Sequence, residues 1–284
     1  MIAVQDIVST PAQDWTVPIT VGIAGSIGHG KSTVARMLCE KFGYTEIAFA
    51  AHLREVCEIL LGVYPEHLND PVLKATPLVG FDNGHVFPFD ARDPAALHRQ
   101  LDTALAVAYF TTPDVFSNAP HTTDVEMVGA NRLSANVVRR LVQLQFLRHI
   151  WMPLRNGKVF SPREIMRLIG TEIFRTVDPP IWVWAWQQRA LPYAMVVTPD
   201  LRFPNEFEML RERKALVLKV TRPGYPVDTG HVSEGQLDNH AFDVTLINDG
   251  LLEELWQALC EVLELYARKH TAEVDNGYAK LITA

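Results

Sequence analysis

The sequence predicts an α/β fold in which a parallel sheet flanked by helices carries an inserted, mostly helical lobe. Three observations lead to this prediction. Apolar, β-rich runs alternate with amphipathic segments at both ends of the chain, a Pro- and Gly-containing stretch interrupts the alternation, and helical spacing dominates the middle. The 284 residues, 48% of them apolar, suffice for one large domain or for a core with an inserted lobe.

The opening of the chain reads as strand, loop, helix, strand and helix. Residues 17–24 form an apolar run that ends in glycines, which is typical of a buried central strand. Apolar residues at helical spacing predict a helix over 31–42, which Gly43 ends. A strand over 44–49 and a helix over 51–62 follow. This order indicates the beginning of a parallel sheet.

The alternation stops after residue 62 and returns near residue 160. We predict an inserted helical lobe over 63–160, a core made of 17–62 and 161–270, a flexible arm over 1–16 and a tail over 271–284. The further predicted elements are helices over 95–110, 132–150, 162–174 and 181–191, a strand over 193–198, a helix over 203–213, strands over 215–221 and 243–247, and a last helix over 250–269.

Composition and charge argue against several classes of protein. Lys and Arg number 26 and Asp and Glu 33, so the formal charge of −7 disfavours broad binding to nucleic acid but leaves a local basic groove open. The three cysteines match neither a disulfide framework nor a metal site. No apolar run is long enough to span a bilayer, and the N-terminus lacks the pattern of a secretory signal. We therefore expect a cytoplasmic protein without membrane contact.

The strongest motif is Gly-Ser-Ile-Gly-His-Gly-Lys-Ser at 25–32, which fits G-x-x-x-x-G-K-[ST] between a predicted strand and a predicted helix. Glycines let backbone amides wrap phosphates, Lys31 is expected to reach the β- and γ-phosphates, and Ser32 to bind Mg²⁺. His29 occupies a free position, so we expect its side chain to face solvent. The motif predicts a P-loop protein that binds ATP and Mg²⁺ through Gly25, Gly28, Gly30, Lys31, Ser32 and Thr33.

A second candidate site follows the predicted strand over 193–198. Neither N-K-x-D nor an acidic pair follows a later strand, so GTPases and helicase-type motors are not favoured. Asp200, at the carboxyl end of this strand, can hold Mg²⁺ through water or accept a substrate hydroxyl. Arg202 can pair with a phosphate, or with Glu206 as a surface i,i+4 pair. The predicted catalytic residues are Lys31, Asp200 and Arg202, and the predicted Mg²⁺ ligands are Ser32 and Asp200.

Several short motifs also occur in one order along the second half of the chain. They are Arg163, Gly-Thr-Glu at 170–172, Asp178, Trp182, Asp-Leu-Arg-Phe-Pro-Asn-Glu at 200–206, Arg-Pro-Gly at 222–224, His-Val-Ser-Glu at 231–234 and Ile-Asn-Asp-Gly at 247–250. Together with the P-loop, this set resembles the bacteriophage deoxynucleoside monophosphate kinase family. The resemblance implies a nucleoside monophosphate kinase-like fold, transfer of the γ-phosphate of ATP to a deoxynucleoside monophosphate and, for a phage-encoded chain, a location in the host cytoplasm.

The resemblance also implies roles for individual residues. Arg54, in the second predicted helix, would contact the acceptor phosphate, and Arg222 would bind the nucleotide. Trp182 would stack on the acceptor, although the three tryptophans over 182–186 alternate in an apolar segment and two of them are expected in the core. His231 and Glu234 would close over ATP or cap the preceding turn. The implied acceptor site comprises Arg54, Arg163, Thr171, Trp182, Asp200, Arg202 and Glu206.

Two other functions stay open at this point. Related phage kinases phosphorylate 5-hydroxymethyluracil in finished DNA, and a large insert would suit a polymer acceptor. A non-catalytic nucleotide-binding regulator is the third hypothesis. The insert is also a candidate homodimer interface. For the DNA hypothesis the stretch over 131–150 has an apolar face at Leu133, Val137, Leu141 and Leu144, and basic residues at Arg132, Arg139, Arg140 and Arg148 that would contact phosphates or form a solvated face or a lid on ATP.

Overall fold

The computed structural model describes residues 19–117, 127–225 and 235–282. Within this part, the chain divides into two compact units, one of the residues up to Glu46 and from Ala194 onward, the other of Ile47–Tyr193. Each unit has its own apolar core. Residues 1–16, predicted as an arm, and residues 231–234, predicted to close over ATP or cap a turn, lie outside the described residues.

Most elements begin and end within a few residues of the predicted positions. In chain order they are β1 (Thr20–Ala24), α1 (Lys31–Phe42), β2 (Thr45–Glu46), α2 (Ala50–Leu61), α3 (Pro65–Asn69), α4 (Pro71–Ala75), α5 (Pro94–Ala108), α6 (Pro113–Ser117), β3 (Met127–Val128), β4 (Leu133–Ser134), α7 (Ala135–Phe146), a first π-helical segment (Leu147–Trp151), α8 (Met152–Arg155), α9 (Pro162–Arg167), a second π-helical segment (Leu168–Arg175), α10 (Ile181–Ala190), β5 (Val196–Thr198), α11 (Pro204–Glu212), β6 (Leu216–Thr221), β7 (Val244–Ile247) and α12 (Leu252–Ile282).

The first unit contains a five-stranded sheet in the order β2-β5-β1-β6-β7, with every neighbouring pair parallel. Strand β1 lies in the centre and is buried along its whole length, because it is apolar on both faces. Residues of α1 and α12 contribute to the core around the sheet, and α11 packs against β1 and β6. The predicted parallel α/β fold is confirmed, and its carboxyl edge carries the P-loop and the chain that follows β5.

The second unit is mostly helical. Helix α2 packs against α5, and a short antiparallel hairpin, β3–β4, precedes α7. The buried carboxylate of Asp102 in α5 accepts two hydrogen bonds from the Arg139 guanidinium in α7, at 2.6 and 3.1 Å. The predicted lobe over 63–160 falls inside this unit, which also includes α2, α9 and α10.

The apolar face predicted at Leu133, Val137, Leu141 and Leu144 is mostly exposed, and only Leu133 of the four packs against the core. Val137, Leu141 and Leu144 are exposed, with 60% of Leu144 open to solvent, whereas the opposite face packs into the core. Arg139 lies on the buried side because Asp102 binds it, so it is not free to contact DNA. The core residues of α7 are Ala135, Val138, Val142 and Phe146.

Two smaller differences concern element length. The second predicted strand, over 44–49, is paired only at Thr45–Glu46, after which α2 begins. Helix α12 continues to Ile282 through most of the predicted tail. None of the helices in the described part of the chain combines the length and the apolar character that crossing a bilayer requires.

Candidate active site

The P-loop connects β1 to α1 at the carboxyl edge of the sheet. Gly25, Gly28 and Gly30 have φ angles of 141°, 81° and 105°, which side chains with a Cβ rarely adopt. A Cβ at Gly28 would lie 2.5 Å from the Tyr225 ring, and one at Gly30 would lie 2.5 Å from Asn248 Nδ2. Because the loop has no room for these side chains, its backbone amides can line a phosphate-binding cradle.

The first turn of α1 carries the predicted lysine and hydroxyl groups. Lys31 Nζ donates to the carbonyl oxygens of Gly25 at 2.6 Å and Ser26 at 2.8 Å, so its positive charge lies against the loop. Ser32 is exposed and Thr33 half-buried. The N-terminus of α1 adds the positive partial charge of the helix dipole. This cradle, ammonium and hydroxyl fit the phosphates of a nucleoside triphosphate with a Mg²⁺ ion.

Asp200 follows the carboxyl end of β5, which pairs with β1. The fully buried Thr198 donates from Oγ1 to Asp200 Oδ1 at 3.2 Å and so orients the carboxylate. The backbone N–H of Leu201 donates to the carbonyl of Ile23 at 3.3 Å, which keeps the chain after β5 beside the end of β1. Since adjacent parallel strands end at the same edge, Asp200 and the P-loop share one edge of the sheet.

Glu206 lies in the interior and not on the surface. Its side chain is buried, with only 2% of the residue exposed, and Oε2 accepts the backbone N–H groups of Arg202 at 3.0 Å and Phe203 at 3.1 Å. The carboxylate thus caps α11 and holds the backbone at Arg202. Arg202 lines a cavity of about 310 Å³ together with Gly25 and His29 of the P-loop.

The prediction that His29 faces solvent is wrong, because only 6% of this residue is exposed. Its Nδ1 accepts the backbone N–H of Arg222 at 3.3 Å, and its carbonyl accepts Nδ2 of Asn248 at 3.0 Å. The segments that follow β6 and β7 therefore cover this part of the loop. Arg222 is exposed, and its guanidinium carbon lies 4.9 Å from the centre of the Tyr225 ring.

The other residues implied for the acceptor belong to the second unit. Arg54 in α2 and Thr171 in the second π-helical segment lie on neighbouring elements, because a Cβ added at Gly170 would meet Leu53 Cδ2 at 2.7 Å. Thr171 is exposed and Arg54 half-buried. Arg163, in α9, is exposed, and no described hydrogen bond or ion pair joins it to Arg54 or Thr171. Wide π-helical turns are frequent at functional sites.

Trp182 lies in the core rather than on an open surface. Only 2% of it is exposed, its ring centre lies 5.3 Å from that of Phe174, and its indole N–H donates to the carbonyl of Gly170 at 3.0 Å. Trp186 is buried as well and Trp184 is half-buried, in keeping with two core tryptophans. In this structure, Trp182 positions the Gly170 turn and presents no face on which a base can stack.

Two residues beside the P-loop were missed by sequence reasoning. Asn248 stands in the Ile-Asn-Asp-Gly motif, which the sequence singled out without giving the amide a role. Tyr225 follows the Arg-Pro-Gly motif, and nothing in the sequence indicates that its ring approaches Gly28. Both contacts join residues about 200 positions apart, which local patterns do not reveal.

Comparison with known proteins agrees with this geometry. The model of the deoxynucleotide monophosphate kinase family matches residues 20–259. The chain is 30% identical over 112 residues to the deoxynucleotide monophosphate kinase of Enterobacteria phage T4, which covers 37% of this chain and 46% of that protein. It is 26% identical over 209 residues to the deoxynucleoside-5′-monophosphate kinase of Escherichia phage T5, which covers 70% of this chain and 74% of that protein.

A protein of Acanthamoeba polyphaga mimivirus is 26% identical over 119 residues, 37% of this chain and 62% of that relative. The chain therefore spans less than two thirds of the mimivirus and T4 relatives. The family match, in contrast, extends from β1 into α12 and includes the P-loop, the turn at Asp200 and the segment after β7. The predicted resemblance is confirmed, and this chain belongs to the deoxynucleotide monophosphate kinase family.

Proposed function

We propose that this protein is a kinase that transfers the γ-phosphate of ATP to the 5′-phosphate of a deoxynucleoside monophosphate. One observation carries the proposal: in a member of this family, the P-loop with Lys31 shares one edge of a parallel sheet with Asp200 and Arg202. A guanidinium and a carboxylate beside a phosphate-binding loop suit an acceptor that is itself a phosphate.

In this proposal the P-loop binds the donor nucleotide. The loop amides, the N-terminus of α1 and Lys31 hold the β- and γ-phosphates. To do so, Lys31 Nζ exchanges two neutral carbonyl acceptors for charged phosphate oxygens, which form stronger hydrogen bonds. Ser32 and Asp200 are the residues that would hold Mg²⁺, which when bound neutralises charge on the phosphates.

The acceptor phosphate already carries the nucleophilic oxygen as an anion, so the reaction needs no strong base. Asp200, held by Thr198, therefore contributes metal binding and orientation. The best candidates for neutralising the transferring group are Arg54, Arg163, Arg202 and Arg222.

Glu206 and Trp182 support this reaction without contacting substrate. Glu206 holds the backbone of Arg202, and Trp182 holds Gly170 next to Thr171. Both are buried, so their removal would disturb the residues that they position.

The test is a phosphate-transfer assay with labelled ATP and Mg²⁺. The acceptors are each deoxynucleoside monophosphate, plain duplex DNA, and duplex DNA that contains 5-hydroxymethyluracil. We expect label in deoxynucleoside diphosphates, and a loss of at least about 100-fold in the Lys31→Ala variant, since a preorganised charge at the transferring group is removed. Label found only in the modified duplex would replace this proposal with a DNA-base kinase, and ATP binding without transfer to any acceptor would replace it with a regulator.

A second variant separates the two possible roles of Asp200. A base hydroxyl must lose a proton during transfer, whereas a phosphate acceptor has none to lose near neutral pH. Asp200→Asn should therefore weaken Mg²⁺ dependence in a nucleotide kinase, with activity partly restored at high Mg²⁺. Activity lost at every Mg²⁺ concentration would favour the base role, and with it the DNA-base kinase.

A further inference from the structure

The free position of the P-loop motif carries a buried histidine with two long-range partners. Nδ1 of His29 accepts the backbone N–H of Arg222, so a neutral ring carries its proton on Nε2. That nitrogen is buried and has no hydrogen-bond partner among the described residues.

Asn248 makes the second connection. Its side-chain amide donates to the carbonyl of His29, and its backbone N–H donates to the carbonyl of Thr221 at 2.8 Å. The amide also fills the space beside Gly30, the residue that precedes Lys31. The chain after β7 thus sets the direction of one peptide group within the phosphate cradle.

The third connection runs through Tyr225. Its ring lies against Gly28, edge-to-face with His29 at 6.3 Å between ring centres, and under the guanidinium of Arg222. The backbone and the side chain of Arg222 are therefore both tied to residues that contact the loop. Its charge is held at a defined place next to the P-loop.

We propose that His29 and Asn248 are positioning residues that hold the P-loop in its phosphate-binding shape and keep Arg222 beside it. The affinity for a nucleoside triphosphate then depends on two side chains that touch no phosphate. This inference rests on the proposed function, because it requires that the loop binds ATP. The loop and Arg222 are then coupled in binding the nucleotide.

The test compares variants that keep or remove each hydrogen bond. His29→Asn retains an acceptor at the position of Nδ1, whereas His29→Leu keeps the bulk and removes it. Asn248→Asp keeps the shape and replaces the donor to the His29 carbonyl with an acceptor. The readout is the dissociation constant of ATP with Mg²⁺ by calorimetry, without an acceptor, together with the melting temperature of each nucleotide-free variant.

We expect His29→Leu and Asn248→Asp to weaken ATP binding about tenfold each, the factor that corresponds to one lost hydrogen bond, while His29→Asn stays within about threefold of the wild type. The melting temperature of each variant shows separately how much the lost hydrogen bond changes the stability of the nucleotide-free protein. Equal ATP affinity in the wild type and His29→Leu would overturn the inference alone. Failure of the wild type to bind ATP would overturn the proposed function, and the inference with it.

A double-mutant cycle tests the link to Arg222. If His29 acts by holding Arg222, the His29→Leu change should cost clearly less affinity in an Arg222→Ala background than in the wild type. Additive losses would mean that the histidine shapes the loop without positioning the arginine, which contradicts that part of the inference. Because both measurements use binding, neither depends on which acceptor the kinase takes.

Discussion

At the scale of single residues, Gly28 shows how one Cβ would alter the P-loop. Its φ of 81° disfavours any other residue, and the Tyr225 ring occupies the space where a Cβ would lie. We expect Gly28→Ala to cost about 1–2 kcal/mol of unfolding free energy from the backbone conformation, and to weaken ATP binding because the loop or the ring must move. Urea unfolding and ATP calorimetry measure the two effects.

Gly43 provides the matched control for that variant. It ends α1 at a φ of 73°, but a Cβ added there meets nothing within 4 Å. Gly43→Ala should therefore show a similar loss of stability with unchanged affinity for ATP. If both variants weakened ATP binding equally, the contact between Gly28 and Tyr225 would have no special effect on the loop.

The sequence predicted the residues of the P-loop more securely than the surroundings of each residue. Lys31 and Ser32 follow from the motif, because phosphate binding requires those groups at that spacing. The burial of His29 does not follow from it, since its partners, Arg222 and Asn248, stand 193 and 219 positions away. The cap that Glu206 forms could not be predicted for a related reason: i,i+4 spacing cannot distinguish a side-chain pair from a carboxylate that caps backbone N–H groups.

At the scale of elements, the second π-helical segment packs tightly against α2. Gly170→Ala gains about 1 kcal/mol in helix propensity but places a methyl group against Leu53, and overpacking costs about 1–3 kcal/mol. We expect a net loss of stability and a higher KM for the acceptor, because Arg54 and Thr171 lie next to this contact. Adding Leu53→Val should recover part of both losses. If the losses of stability from Gly170→Ala and Leu53→Val instead added, the side chains at these two positions would not be coupled.

The β3–β4 hairpin is anchored by a buried carboxyl group that gives a pH-dependent prediction. Asp178 accepts a hydrogen bond from Asn131 Nδ2 at 2.9 Å, and a Cβ at Gly129 would lie 2.6 Å from its other oxygen. Burial raises the pKa of the Asp178 carboxyl above its ordinary value of 3.8, although the hydrogen bond from Asn131 opposes the shift. The folded protein therefore binds this proton more tightly than the unfolded chain.

As a consequence, Asp178 lowers the free energy of unfolding as the pH rises from 3.8 through its folded pKa, and its contribution is constant above that. Asp178→Asn removes this loss and keeps an acceptor for Asn131. Urea unfolding should therefore show that the free energy of unfolding of Asp178→Asn, relative to that of the wild type, is higher at pH 7 than at pH 4. A difference that did not change with pH would mean that this carboxyl titrates alike in both states.

Helix α7 shows where periodicity fails as a predictor of burial. The segment has apolar residues on two faces, so helical spacing fits Val137 and Leu141 as well as Val138 and Val142. The buried pair between Asp102 and Arg139 fixes which face turns inward, and that pair joins two helices 37 positions apart. The sequence could therefore predict the helix but not its orientation.

At the scale of the whole molecule, the two compact units differ in how closely they follow the sequence patterns. Lys31, Asp200 and Arg202 belong to the unit with the sheet, whereas Arg54 and Thr171 belong to the helical unit. The unit with the sheet follows sequence patterns closely, because a P-loop between a buried strand and a helix constrains what precedes and follows it. The helical unit depends on tertiary contacts such as that between Gly170 and Leu53, which no motif encodes.

Charge is also unevenly distributed over the molecule, and this bears on the choice of acceptor. Residues 131–163 contain seven basic and no acidic residues, although the chain as a whole carries −7. Within this segment Arg140 and Arg148 are exposed beside the apolar side chains of Leu141 and Leu144. Exposed leucines make poor contacts with a hydrated phosphate backbone, so the structure favours a small acceptor over duplex DNA.

Reversing one of these charges tests that argument. Arg140→Glu should leave the KM for a deoxynucleoside monophosphate within about twofold of the wild type, since Arg140 is exposed and an exposed charge contributes little through screened solvent. Arg92→Glu, at another exposed arginine of the helical unit, is the matched control. If DNA were the acceptor, Arg140→Glu would raise the KM for the duplex, whereas Arg92→Glu would not. The slope of log affinity for the duplex against log salt concentration would also fall by about one in Arg140→Glu, because one phosphate contact is lost. Assays of both variants from low to moderate salt would therefore decide whether Arg140 contacts a polymer or only solvent.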